Sequence, residues 1–324
     1  MSGQERATAL LLRAKVNGRL ASAYLFEGPE GCGKERCARA LAQATVCTEP
    51  RDDGDACGAC SSCRAVASES HVDVITLARE LDVASQQRHR SDDIKSELTV
   101  EKVRLLQSER LTYRSHQGVR WVVVRDAHLM NVSASNALLK TLEEPPTDTH
   151  FALVTSRPAR LLSTIRSRCQ RVRFAPLSDA IVRDLLVRLG DDASIAAEAS
   201  QLADGSMARA RELCDPELLA RRKGLRQRFL DALRAGRSSG YVDVAESFKD
   251  LAKGDRAEVD AVLELLERHF HDEAVTHAPD AGRRAAANAA RADVVRRAVD
   301  SLDRNLNVPM AIEHLFLRLR ETRG

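Results

Sequence analysis

An α/β domain built on a parallel sheet, followed by helices alone, is what this sequence predicts, and three observations carry it. Up to Pro176, short apolar runs alternate with amphipathic stretches, the pattern of strands joined by helical crossovers. A glycine-rich loop stands between the first such run and the first such helix. After Pro176 the strand signal disappears and the rest reads with a helical period.

The elements follow in order. Ala23, Tyr24, Leu25 and Phe26 read as a buried strand, and the loop from Gly28 leads into a helix with Ala38, Leu41, Ala42 and Thr45 on one stripe. Further strands are expected at 72–76, 121–124, 151–155 and 172–174, which makes a sheet covered by helices on both faces. The polar, aperiodic stretch 86–97 reads as a surface loop. Residues 177–213 read as a compact set of helices broken at Asp204-Gly205. Beyond them come three apolar stripes: Val259, Val262, Leu263, Leu266 and Phe270; then Val295, Ala298, Val299 and Leu302; then Ile312, Leu315, Phe316 and Leu319. Such stripes are the packing faces of a helical bundle. The Arg/Ala-rich stretch 282–292 reads as a solvated helix or a connecting loop.

Composition narrows the class. The 324 residues are 44% hydrophobic but only 3% aromatic, so the core is expected to rest on Ala, Leu and Val. Charged residues make up 30% with a formal net charge of +3, a balance that gives no general case for nucleic-acid binding. No apolar run approaches the length of a membrane span, and the N-terminus lacks a signal-peptide plan, so a cytoplasmic protein with no membrane partner is expected. Thiols stay reduced there, and clustered cysteines then point to a metal.

The loop Gly28-Pro29-Glu30-Gly31-Cys32-Gly33-Lys34 matches G-x-x-x-x-G-K in its required place, after a strand and before a helix. Gly28, Gly31 and Gly33 would let backbone N–H groups face a phosphate, and Lys34 would reach its outer oxygens. The Ser or Thr that should follow the lysine to hold Mg²⁺ is Glu35. After the strand at 121–124, two acids are expected and the chain has Arg125-Asp126, a cation in the first acidic place. These read as two independent departures at the metal. They put ATP or ADP binding in doubt, and hydrolysis more so; the loop reads equally well as a frame kept for its turn.

Cys47, Cys57, Cys60 and Cys63 have the close spacing of a tetrahedral zinc knot, and four thiolates leave no open position, so the ion would be structural. The scattered Cys32, Cys37, Cys169 and Cys214 read as packing residues. His269-Phe270-His271-Asp272 makes a poor metal box, because 269 and 271 point to different faces of a helix. Asp126 and His128 find no nucleophile to serve.

The glycine loop followed closely by this cysteine spacing resembles the clamp-loader branch of the AAA+ ATPases. So do the stretch Asn136-Ala137-Leu138-Leu139-Lys140-Thr141-Leu142-Glu143-Glu144-Pro145-Pro146 and the triplet Ser167-Arg168-Cys169. The resemblance implies a P-loop AAA+ domain with zinc module 47–63 over 1–175, a small helical lid over 176–215, and an all-α C-terminal collar over 216–324. Two classes of bacterial DNA polymerase III subunit share that layout, the ATP-hydrolysing gamma/tau class and the delta-prime class. Glu35 and Arg125 favour the second, as does Ala208, where a motor subunit would carry a nucleotide-sensing arginine; Arg209 follows one residue later. The chain's end at Gly324, soon after the last stripe, points the same way.

By the same resemblance Arg168 acts in trans as an arginine finger at a neighbour's nucleotide, and Thr155 takes the sensor-1 position. The implied partners are the gamma/tau motor subunits and the delta subunit, with the sliding clamp and primer–template DNA reached through the complex. Two other readings stand beside this one: a short gamma-like motor, and a zinc-containing nucleic-acid-binding module on an AAA+ scaffold. The second is opposed by the modest charge and the scarcity of aromatic residues.

Overall fold

The computed structural model describes residues 3–81, 83, 86, 97–254, 256–276, 282–302 and 307–322. The chain forms two compact units, Met1–Arg211 and Glu212–Gly324.

In the first unit, five parallel strands lie in the order β2-β3-β4-β1-β5: β1 Ala23–Glu27, β2 Val74–Leu77, β3 Arg120–Val124, β4 Thr149–Thr155 and β5 Gln170–Arg173. Successive side chains point to opposite faces, so both faces carry a core. Leu25, Ile75, Leu77, Val122, Val124, Phe151 and Leu153 build one. Tyr24, Phe26, Trp121, Val123, Ala152 and Val154 build the other. The helices that cover them are α1 Glu5–Val16, α2 Lys34–Val46, α3 Ser61–Ala67, α4 Val100–Leu105, α5 Val132–Glu143 and α6 Ser163–Arg168. Cys37, Ala38, Leu41 and Ala42 of α2 are buried.

Of the expected strands, β2, β4 and β5 start two residues away from the apolar runs and β3 one residue away. β2 begins at Val74, and Val72 is exposed. β5 begins at Gln170, in register with Tyr24 of β1, and its exposed Arg171 and Arg173 both pair with the buried Glu27 of β1: Arg171 Nη2 lies 2.8 Å and Arg173 Nε 3.1 Å from its carboxylate. An edge strand with charged outward residues gives little apolar signal. Of the expected loop 86–97, only Gln86 and Glu97 lie among the described residues.

Three short helices complete the first unit: α7 Asp179–Arg188, α8 Ala193–Leu202 and α9 Met207–Leu213, which runs just past its end. Ser178 and Asp192 cap the first two by accepting from backbone N–H groups. The chain breaks before α9 at Asp204 and Gly205, both at positive φ.

The second unit is helical: α10 Pro216–Ala235, α11 Ser238–Gly254, α12 Arg256–Thr276, α13 Gly282–Leu302 and α14 Val308–Glu321. The predicted stripes meet in one core, with Val259, Val262, Leu263, Leu266, Phe270, Val295, Leu302, Ile312, Leu315, Phe316 and Leu319 buried and Ala298 and Val299 half-buried against it. Five of the eleven aromatic residues belong to this unit, with the Phe316 ring stacked 4.1 Å from Phe229 and 4.3 Å from Tyr241. The Arg/Ala-rich stretch opens α13 as helix. Arg222, buried on α10, donates to Glu258 of α12 through Nη2 at 2.7 Å and Nε at 3.0 Å, and to Glu212 at 3.1 Å. Among the described residues no helix is long and apolar enough to cross a membrane.

Candidate functional site

The glycine loop joins the fully buried β1 to α2, with Gly28, Gly31 and Gly33 all at positive φ. Its first two glycines answer to the chain's own packing. A Cβ on Gly28 would lie 2.3 Å from the carbonyl oxygen of Phe174, and one on Gly31 would lie 2.0 Å from Ser206 Oγ. The N–H of Met207, the first residue of α9, donates to the Gly31 carbonyl at 3.0 Å. The small helices are thereby fastened directly to the loop. Lys34 folds back, its ammonium donating to the carbonyls of Gly28 (2.8 Å) and Pro29. Burial holds its pKa below that of an ordinary lysine.

The two departures at the metal positions turn out to be one feature. Arg125, at the end of β3, places Nε 3.0 Å from Glu35 and Nη1 2.8 Å from Glu80. A guanidinium bracketed by two carboxylates thus links the two positions, 35 and 125, at which Mg²⁺ ligands were expected. The Arg125 N–H, donating to the Leu77 carbonyl at 2.9 Å, extends the β2–β3 ladder and fixes the origin of that side chain. Burial pushes the Glu35 carboxyl above its ordinary pKa even though Arg125 pulls the other way.

These groups open on a cleft of about 800 Å³. Gly31, Gly33, Lys34, Glu35, Arg125, Asp126 and Ala208 line it; Gly28, Thr155 and Arg209 do not. Its four cations, Lys34, Arg36, Arg39 and Arg125, face four carboxylates, Glu30, Glu35, Glu69 and Asp126, so the lining is neutral as it stands. Thr155 is fully buried, accepts from the Arg157 N–H at 3.0 Å and lies 3.2 Å from His128 Nδ1. Its hydroxyl is committed inside the fold.

The cysteines come together between α2 and α3. Cys47 ends α2, and Cys60 stands at the N-cap of α3, where its sulfur accepts from the Cys63 N–H. The four sulfurs all lie within 4.8 Å of one another, with Cys47 3.6 Å from Cys57 and 3.9 Å from Cys60, and Cys57 3.9 Å from Cys63. A tetrahedral ion with bonds of about 2.3 Å to sulfur holds its thiolates about 3.8 Å apart, so this donor set fits a metal. Further N–H groups, those of Cys57, Ala59 and Cys60, donate to the sulfurs at 3.3–3.4 Å, the environment that stabilises thiolate. The Thr48 hydroxyl leads in holding Cys60 down to about 5, and burial pushes Cys63 up to about 12. The module is tied to the sheet domain by the Gln43 side chain on the Cys63 carbonyl (2.8 Å) and by Ser62 and Gln117 (2.8 Å).

Arg168 ends α6 and is not among the residues that line the cleft. Its Nη2 lies 2.6 Å from Glu143 and its Nη1 donates to the Thr164 carbonyl at 3.0 Å. The next residue, Cys169, is buried, and that burial raises its thiol to about 12. Glu80 escaped the sequence reading, and Glu143 entered it only as part of the 136–146 stretch, with no sign that it meets Arg168. A polar residue gives no local sign of a partner 25 or 45 positions away, although a carboxylate on the last residue of a helix is an unfavourable placement that could have drawn notice.

A family model for "DNA polymerase III, delta subunit" matches residues 3–178. The chain is 33% identical over 219 residues to DNA polymerase III subunit tau of Bacillus subtilis, covering 66% of this chain and 36% of that one. It is 38% identical over 190 residues to the gamma/tau subunit of Mycobacterium bovis, covering 58% and 30%. It is 31% identical over 237 residues to the delta' subunit of Bacillus subtilis, covering 68% and 66%. The chain thus spans about a third of the length of the gamma/tau relatives it matches. Matched by the family model over more than half its length, the chain belongs to the DNA polymerase III delta-subunit family, within the clamp-loader subunits of that polymerase.

Proposed function

We propose that this chain is a non-motor, stator-like subunit of the clamp loader, in the manner of delta-prime, and that it serves the ATPase site of a neighbour. The observation that carries this is the Arg125 cluster. A fixed guanidinium, already paired with Glu35 and Glu80, stands where metal-assisted hydrolysis needs open ligands for a divalent cation. The fastening of α9 onto Gly31 agrees with it, since the small helices meet the loop through the protein's own hydrogen bond.

In this reading the AAA+ domain (1–175), the lid (176–215) and the collar (216–324) assemble with gamma/tau motor subunits and the delta subunit, and the complex places the sliding clamp on primer–template DNA. Arg168 extends to the γ-phosphate of the neighbour's nucleotide and stabilises the charge that develops there. Cys47, Cys57, Cys60 and Cys63 hold one structural zinc. A closed set of four thiolates gives that ion no position for substrate, so its part is to fix the chain between α2 and α3.

The test is ATP turnover by the reconstituted complex. Arg168→Ala is expected to leave assembly intact while turnover at the neighbouring site falls about 10³-fold or more. Unchanged turnover would remove the finger role. Identity to tau and gamma/tau subunits favours a second reading, a working motor; Mg²⁺-dependent hydrolysis by the isolated chain at a motor-like rate would establish it. For the cysteines, one zinc per chain by elemental analysis is expected, and its loss on changing Cys60 to Ser; a chain with no bound metal would sink the structural site.

A further inference from the structure

The finger reading leaves one feature unexplained, which is where Arg168 points. Both terminal nitrogens of its guanidinium are turned back on its own chain, Nη2 to Glu143 at 2.6 Å and Nη1 to the Thr164 carbonyl at 3.0 Å. A finger delivers those same nitrogens to a phosphate. The side chain is therefore retracted, and Glu143 holds it.

Stability does not account for the pair. The two side chains are 37% and 43% exposed, and ion pairs so open to water add little to folding. Nor are α5 and α6 held together by it, because Leu138 and Leu142 of α5 and Ile165 of α6 already belong to one buried core. Glu143 is also badly placed for its own helix. It is the last residue of α5, where unpaired carbonyls make the end negative and a cation such as Lys140 is preferred. Pro145 and Pro146 forbid the helix to continue past that point. A carboxylate that costs the helix and adds little to the fold has its use elsewhere.

We infer that Glu143 is a positioning residue that keeps Arg168 retracted until a neighbour's terminal phosphate is aligned to replace it; this rests on the finger reading of Arg168. The exchange trades a carboxylate for a phosphate, which carries more charge and three acceptor oxygens. Until the phosphate is in place the guanidinium gains nothing by leaving. Glu143 thereby ties finger extension to closure of the assembly.

The experiment measures ATP turnover of the assembled complex, with and without primer–template DNA, for the unaltered chain, Glu143→Gln, Glu143→Asp, Arg168→Ala and the Glu143→Gln/Arg168→Ala double variant. Glu143→Gln is expected to raise DNA-independent turnover about three- to five-fold, the release of an exposed ion pair, and to leave the DNA-stimulated rate within about two-fold. Glu143→Asp keeps the charge on a shorter arm and should fall between. The double variant should match Arg168→Ala alone, because Glu143 acts only through that arginine. An unchanged or lowered DNA-independent rate overturns the inference, as does a double variant that differs from Arg168→Ala. Thermal melting checks folding, and if Glu143→Gln fails to assemble, the Asp variant carries the same comparison. Should Arg168→Ala leave turnover untouched, the finger reading itself falls; should Arg168→Ala lower it while Glu143→Gln leaves the DNA-independent rate unchanged, only the role of Glu143 falls.

Discussion

Two arginines in this molecule are each held by a pair of glutamates, and the pairs behave in opposite ways. In the helical unit, Arg222 is almost completely buried and grips Glu258 with two nitrogens, at 2.7 and 3.0 Å. Its hydrogen bonds are the first cause that holds the Glu258 carboxyl below its ordinary value. In the sheet unit, Arg125 reaches Glu35 through one nitrogen and Glu80 through another, at the wall of an open cleft. There burial wins and the Glu35 carboxyl is pushed up. A two-pronged grip repays the desolvation of both ions, whereas a single contact at a half-buried site does not. The first cluster ties helices together. The second is poor as a stabiliser, which is consistent with the non-motor role proposed for this chain.

The sharpest way to break that comparison is to remove each arginine. Arg222→Ala leaves Glu258 without its partner inside the bundle and is expected to cost about 3–5 kcal/mol, read from denaturant unfolding of the full chain. Arg125→Ala, at the wall of an open cleft with its partners Glu35 and Glu80 33% and 17% exposed, is expected to cost less, about 1 kcal/mol. Equal losses would show that the two clusters do the same job.

A smaller effect separates them by pH. A carboxyl whose folded pKa is depressed contributes stability that is fully present above its unfolded value, here 4.5, and is lost as pH falls through the lower folded value. The stability difference between the unaltered chain and Glu258→Gln should therefore shrink as pH drops below 4.5. For Glu35 the sign reverses. Its folded pKa is raised, so the folded chain binds the proton better and stability declines as pH rises from 4.5 through the raised value. Glu35→Gln should gain on the unaltered chain over that interval. Parallel pH curves for the two variants would erase the distinction.

Much of the fold was legible because its signals are local. Tyr24, Leu25 and Phe26 form one unbroken apolar run since both faces of a parallel strand are covered. Val259, Val262, Leu263, Leu266 and Phe270 repeat at helical spacing since one face of α12 is buried. β5 was misplaced by two residues because Gln170 and Arg171, which open it, are polar and exposed and leave no apolar signal. The site was legible only in part. Gly31, Gly33, Lys34 and the four cysteines could be named from spacing, and the structure brings each set together. Gly28 belongs to the same spacing and Thr155 was implied by the resemblance alone, yet they face Phe174 and His128 and stay outside the cleft.

The sequence by itself determined the succession of strand and helix signals, the glycine loop, the closed set of four thiols and the presence of Glu35 and Arg125 where Mg²⁺ ligands were expected. Those follow from periodicity, spacing and side-chain chemistry, all of which are written along the chain. Only the tertiary structure decided that Glu35 and Arg125 are one ion cluster completed by Glu80, that Gly31 is a socket for α9, and that Arg168 lies folded onto Glu143. Each joins residues 25 to 176 positions apart. Charge and hydrogen bonding act through space, and a sequence records which groups exist but not which of them meet.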